Sequence, residues 1–298
     1  MLNHIFIDES TWGGLCNTGR RQSPVDILTR GEEVQTIRSF SLNLTNFKTP
    51  ESKPTIKNNG HSGFQIDLDR TPRYVTLTSS VDSNSAKYKL QQLHFHWNSK
   101  LHTGSEHFIN GASSDMEAHF VTYNTKYPSF AVAANQPDGL LVIGVLYRIH
   151  AIPLTKLRAM TLVGNMTRNV ISKDSTYTSS EPLYLTGLLP DLSRYSLSKP
   201  FNPSLLHDII AHGMSFQSLN SPDFAVLPGS LTTPPCSENV IWVVFLDPLP
   251  ITLQQKLPFL DVRTEYNNKE VPMENNRAPQ PLYDRTITLA KSYYFYLD

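Results

Sequence analysis

Two of the chain's ten histidines stand two residues apart in Gln92-Leu93-His94-Phe95-His96-Trp97. Alternate residues of a strand share a face, so Gln92, His94 and His96 project together and Leu93, Phe95 and Trp97 project oppositely. Two imidazoles at that spacing can reach one metal ion, although the same pattern occurs in ordinary β-hairpins. Glu117-Ala118-His119-Phe120-Val121 repeats the alternation, with Glu117, His119 and Val121 on one face. Paired with the first strand, it offers His119 as a third nitrogen ligand and Glu117 as a carboxylate that orients a ligating ring. Ligating histidines nearly always donate their other ring N–H to such an acceptor, and Gln92 can serve a second histidine in the same way. Three neutral nitrogens without a fourth protein ligand suit a catalytic Zn²⁺ with an open position for water. Copper and cobalt also accept three imidazoles; availability favours zinc.

Such groups need strands to position them, and most of the chain alternates in the manner of short strands separated by Pro, Gly, Asn and Ser. Gly63 to Leu68, Tyr74 to Thr78, Lys89 to Trp97, Met116 to Tyr123 and Val240 to Leu246 are examples, and Gly139 to Tyr147 has the continuous apolar run of a strand buried on both faces. Helical patterns are short, such as Pro153 to Met160. No repeat or linker divides the chain, so residues 1–298 are expected to form one β-dominated domain. In Asn202 to Gly213, a helix is expected with Asn202 as N-cap, Pro203 in the first turn and Gly213 at its end. His207 and His212 lie five apart, roughly 140° around a helix, which makes a poor metal pair.

Composition narrows the function classes. Among 298 residues, 26 basic groups balance 26 acidic ones, so there is no basic excess to favour nucleic acid or an anionic membrane. Zero net charge with 10% aromatic residues argues for a folded chain rather than a disordered one. No apolar run approaches the ~20 residues that span a bilayer, and Met1 to Ser10 shows no leader pattern. The two cysteines, Cys16 and Cys236, belong to no CxxC pair, which speaks against a zinc knuckle. Two sequons, Asn43-Leu44-Thr45 and Asn165-Met166-Thr167, are candidate glycosylation sites.

From about Trp12 to Ile287 the chain resembles an α-class carbonic anhydrase. The resemblance is carried in order by Arg21-Gln22-Ser23-Pro24-Val25-Asp26-Ile27, Asn58-Asn59-Gly60-His61, Leu93 to Trp97, Gly104-Ser105-Glu106-His107 and Glu117-Ala118-His119. Gln136-Pro137-Asp138-Gly139, Gly229-Ser230-Leu231-Thr232-Thr233-Pro234-Pro235 and Gln280-Pro281-Leu282 continue it. It implies a mostly β fold with short helices, built on a large central twisted and mainly antiparallel sheet. It also implies reversible hydration of carbon dioxide to bicarbonate and a proton, by zinc hydroxide and a proton shuttle. His94, His96 and His119 match the metal ligands, and His61 matches the shuttle, a task suited to a group whose ordinary pKa is near 6.5.

Thr232 matches the threonine that orients the hydroxide while donating to a carboxylate, and Glu106 matches that carboxylate. Val121, Val142, Leu231 and Trp242 match the apolar patch for CO₂, and Thr233 faces the same cavity. Asn275 corresponds to the residue whose carbonyl fixes His96, and His107 to a buried histidine behind the ligands. Asn59, Gln65 and Gln92 are candidates for holding the waters of the proton path.

Cys16 and Cys236 stand where secreted and membrane-anchored members carry a disulfide, which implies an extracellular protein, sensitive to sulfonamides, with an anchor or a homo-oligomer as options. Two features depart from the family pattern. Asn3, Asp8 and Glu9 replace an aromatic and Gly-Pro segment, and about 193–222 is an inserted surface segment. The competing expectation is a catalytically weak carbonic-anhydrase-like binding or matrix module. All three metal histidines are present, which favours the enzyme. No GxSxG elbow supports a dedicated esterase.

Overall fold

Alternation of apolar side chains sets which face of each strand meets the core. The computed structural model describes residues 5–6, 9–30, 34–60, 63–79, 85–150, 158–190, 223–266 and 269–297. His61, the Asn202 to Gly213 helix and the insertion at 193–222 lie outside the described residues.

The early strands are β1 (Ile5–Phe6), β2 (Asp26–Ile27), β3 (Val34–Thr45), β4 (Thr55–Asn58) and β5 (Phe64–Asp67). Next come β6 (Tyr74–Ser79), β7 (Ala86–Trp97), β8 (Phe108–Ile109), β9 (Met116–Asn124), β10 (Leu140–Ile149) and β11 (Thr176–Thr178). The last third supplies β12 (Phe224–Gly229), β13 (Val240–Phe245), β14 (Leu249–Ile251), β15 (Arg263–Tyr266), β16 (Lys269–Glu274) and β17 (Ile287–Leu297). A sheet of twelve strands takes the order β11-β4-β5-β7-β6-β3-β17-β12-β13-β10-β14, with β9 bridging β7 and β10. Most pairings are antiparallel, whereas β10 runs parallel to β13 and β14, and β17 to β3. The fold is thus the mainly antiparallel, β-dominated one expected.

Among the described residues the α-helices are α1 (Leu15–Thr18), α2 (Phe130–Ala133), α3 (Arg158–Thr167) and α4 (Leu253–Leu260). None of these is long and apolar enough to cross a membrane. The helix expected over Pro153 to Met160 begins to be described only at Arg158 and runs on to Thr167, because Ala159, Met160, Val163 and Met166 keep burying one face. The α4 helix, not anticipated from sequence, starts at a capping box in which Thr252 and Gln255 satisfy each other's backbone N–H.

The two faces of the sheet bury different clusters. Leu93, Phe95, Trp97, Ala118, Phe120, Leu141, Ile143 and Val243 point into the larger core. Val121, Leu140, Val142, Val240, Trp242 and Val244 point to the opposite side, where the histidines are. Strands β7 and β9 pair antiparallel so that His94 faces His119, His96 faces Glu117 and Gln92 faces Val121. A register shift between Leu90 and Gln92 marks where β7 bends.

Candidate metal centre

The sheet register brings three imidazoles from two strands to one point, with ligating nitrogens within 4.8 Å of one another. Each ring spends its other nitrogen on an acceptor. His94 Nδ1 lies 2.9 Å from Gln92 Oε1, His96 Nδ1 2.8 Å from the Asn275 carbonyl, and His119 Nε2 2.9 Å from Glu117 Oε1. Those acceptors require N–H groups facing them, which fixes each tautomer. The inward nitrogens are therefore bare lone pairs. His119 Nδ1 and His94 Nε2 stand 3.3 Å apart, and His96 Nε2 is buried without a hydrogen-bond partner. Converging lone pairs with no proton between them repel unless a cation lies among them. The donor set fits Zn²⁺, which favours neutral imidazole nitrogen.

Electrostatics prepare the same state. Burial and the neighbouring rings His96 and His119 press the His94 pKa well below its ordinary value. Burial and His119 bring His96 down to about 3, and burial also lowers His119. All three are neutral, as metal ligation demands.

Glu117 does more than orient one ring. Its Oε1 accepts from His119 and, at 2.7 Å, from His107 Nδ1. Its Oε2 accepts the backbone N–H groups of Glu106 and His107 at 2.9 and 2.7 Å. Burial alone would raise this carboxyl, but the hydrogen bonds and electrostatic attraction of the His107 and His119 N–H groups outweigh it and hold Glu117 well below the usual carboxylate range. His107, Glu117 and His119 also cluster tightly enough to resemble a ligand set. Because their facing atoms are already joined by hydrogen bonds, they act as support for the imidazole triad.

Room for Glu117 comes from Gly144, which faces His119 across β9 and β10. A Cβ there would lie 3.0 Å from Glu117 Oε1 and 3.4 Å from a Val244 methyl. A second close approach is at Gly104, where a Cβ would meet the Asp115 carbonyl oxygen at 2.0 Å. Sequence reasoning missed Gly144, since a glycine inside an apolar strand signals only that some neighbour comes close.

Glu106 is fully buried beside the triad, its Oε1 3.2 Å from His96 Nδ1 and accepting the Arg277 backbone N–H at 2.8 Å. Burial, then the nearby Glu117 charge, raises its pKa well above the ordinary value; the Arg277 N–H, the Thr232 hydroxyl and the Arg277 charge oppose this. Glu106 Oε2 has no hydrogen bond of standard length, yet Thr232 comes close enough to favour the carboxylate. A cation held by the triad would push in the same direction.

The loop carrying Thr232 is pinned to the Gln22-Ser23 motif. Ser23 N–H donates to Ser230 Oγ at 2.9 Å, Ser230 N–H to Ser23 Oγ at 3.1 Å, and Trp242 Nε1 to the Ser230 carbonyl at 3.1 Å. Gln22 Nε2 reaches the Cys236 carbonyl, and Cys16 and Cys236 form a disulfide.

Val121, Val142 and Trp242 belong to one buried cluster, with Leu231 packed against it and the Trp242 ring centred 4.7 Å from that of His119. Thr233, half-buried, follows Thr232. Gln65 pairs with His94 across β5 and β7, but its amide donates to Asp67 at 2.7 Å, which commits that group elsewhere. Asn43 is half-buried on β3, while Asn165 is exposed on α3 with the Thr167 hydroxyl buried and donating to the Val163 carbonyl.

A strand pair presenting three neutral imidazoles, backed by acceptors and flanked by a buried carboxylate and a threonine loop, has the donor set and support that could hold a metal ion. A model of the eukaryotic-type carbonic anhydrase family matches residues 7–205 and 202–291. Carbonic anhydrase 7 of Mus musculus is 33% identical over 274 residues, covering 90% of this chain and 88% of the mouse protein. The chain belongs to the eukaryotic-type carbonic anhydrase family, a family of zinc enzymes that interconvert carbon dioxide and bicarbonate.

Proposed function

We propose that this chain catalyses the reversible hydration of carbon dioxide at a zinc ion held by His94, His96 and His119. The observation that carries the proposal is the convergence of three imidazole lone pairs whose opposite nitrogens are already occupied. Bound there, zinc supplies the Lewis-acid charge that brings the pKa of a water close to neutrality.

The chain's own groups supply orientation and exclusion. Glu106 as carboxylate can only accept, so the Thr232 hydroxyl donates to it. That leaves a lone pair on Thr232 to accept from the nucleophile and aim it at the substrate carbon. Val121, Val142, Leu231 and Trp242 form an apolar wall for a small uncharged molecule, which needs no charged clamp, and Thr233 borders it. His61 takes up the released proton and passes it to bulk buffer, a task suited to imidazole, whose ordinary pKa is near 6.5.

Cys16–Cys236 supports an extracellular setting, since such bonds persist in oxidising compartments. Asn165, exposed on α3, is the better placed of the two candidate glycan acceptors. Residues 1–298 act as one catalytic domain.

Stopped-flow CO₂ hydration by the zinc-loaded chain, scanned over buffer concentration, tests the proposal. Fast, buffer-dependent turnover is expected. One zinc bound per chain with no turnover overturns it.

A further inference from the structure

Arg277 is buried to 3% exposure and holds its neighbours by both its side chain and its backbone. Nη1 donates to Gln22 Oε1 at 3.0 Å and to the Ser23 carbonyl at 2.7 Å, while Nη2 donates to the Cys16 carbonyl at 2.9 Å. Its Nε faces Glu9 Oε2 at 3.7 Å, and the guanidinium lies 5.2 Å from the Trp12 ring centre. The other Glu9 oxygen accepts the Ala278 N–H at 2.9 Å, gripping the backbone one residue further on. Between these contacts, the Arg277 N–H donates to Glu106 Oε1 at 2.8 Å.

A buried guanidinium is tolerated only where its donors and charge are matched. Its planar fork of donors can meet three acceptors in fixed directions, which an ammonium on a flexible stem cannot do. The residue is therefore held from two sides, by Glu9 near the N-terminus and by the disulfide-linked Cys16 and Gln22-Ser23 segment. What it presents to the metal centre is one rigid N–H.

We propose that Arg277 is a positioning residue for Glu106, and that Glu9 and the Cys16 carbonyl clamp its guanidinium so that its backbone N–H keeps the Glu106 carboxylate aligned with Thr232. This rests on the roles given above to Glu106 and Thr232. It makes Glu9 part of the apparatus that orients the nucleophile.

The test compares zinc-loaded Arg277→Lys, Glu9→Gln and Glu106→Gln chains, and the Arg277→Lys/Glu106→Gln double variant, by kcat/KM for CO₂ hydration with zinc content measured in each. Arg277→Lys is expected to lower kcat/KM roughly tenfold, and Glu9→Gln about threefold, at unchanged zinc stoichiometry. In the Glu106→Gln background Arg277→Lys is expected to cause no further loss, because the group it positions is already impaired. A merely structural arginine would reduce both backgrounds by the same factor, and that result overturns the inference. Should Arg277→Lys fail to fold, Glu9→Gln in both backgrounds carries the same comparison, since it retains an acceptor for Ala278. An effect of Glu106→Gln with none from Arg277→Lys or Glu9→Gln overturns the inference alone. An unchanged kcat/KM in Glu106→Gln overturns the role of Glu106 and the inference with it.

Discussion

His94 Nε2 and His119 Nδ1 face each other at 3.3 Å, each with its second nitrogen engaged by an acceptor of its own. Two lone pairs so placed suit the cation proposed for this site. Zinc is expected to bind with one ion per chain and to raise Tm by mass action as its free concentration exceeds Kd. His96→Ala is expected to abolish both effects, measured by metal analysis and thermal unfolding.

The supporting acceptors matter in turn. Glu117 collects four donors, and Gly144 leaves it room. Gly144→Ala is expected to displace the carboxylate and weaken zinc binding about tenfold, and Glu117→Ala by about 10–100-fold, the range typical when a group behind a ligand is lost. Competition with a chelator of known affinity reads both. Equal affinity in the parent and Glu117→Ala contradicts the assignment.

The metal-free protein should depend on pH in a predictable direction. His94, His96 and His119 have folded-state pKa values below the ordinary 6.5, with His96 at about 3. Below pH 6.5 the unfolded chain binds protons that the folded site refuses, so stability is present above that pH and is lost as pH falls towards 3. The slope is about 1.4 kcal/mol per pH unit for each histidine that protonates only on unfolding. Urea midpoints of apo chain across that window should fall with acidity, and His96→Phe should reduce the slope.

Thr232 and Glu106 are expected to act as a unit. Thr232→Ala should lower kcat/KM by about 100-fold, the scale on which loss of one orienting hydrogen-bond group is felt. Glu106→Gln should fall comparably and the double variant hardly further, with zinc still bound. Stopped-flow rates compared with zinc content check this.

The disulfide closes a loop of 220 residues and anchors both the Thr232 loop and the N-terminal motif. Cys16→Ser/Cys236→Ser is expected to lose as much as about 5 kcal/mol on the chain-entropy account. The chevron and equilibrium midpoint of that variant provide the check; an unchanged midpoint removes the bond from the stability of the fold.

Much of this centre was legible in the sequence because strand periodicity is strictly two. Gln92, His94 and His96 had to share a face, and so did Glu117, His119 and Val121, whatever the strands paired with. Apolar alternation likewise separated Phe95 and Trp97 from the histidines. The family resemblance added Asn275, Thr232, Glu106 and the cysteine pair, none of which has a local signature. Helix ends were read less well: α3 continues beyond the expected span because buried contacts, rather than capping residues, decide where its apolar face stops.

What the sequence determined by itself was therefore the set of donor atoms and the face each strand presents, since both follow from residue type and backbone geometry. Only the tertiary structure decided the register that puts His94 opposite His119, the four donors meeting on Glu117, the space left by Gly144 and the grip of Glu9 and Cys16 on Arg277. Those contacts join residues as far as 268 positions apart, between Glu9 and Arg277. Their energies depend on distance and burial after the chain has closed on itself, which no local pattern encodes.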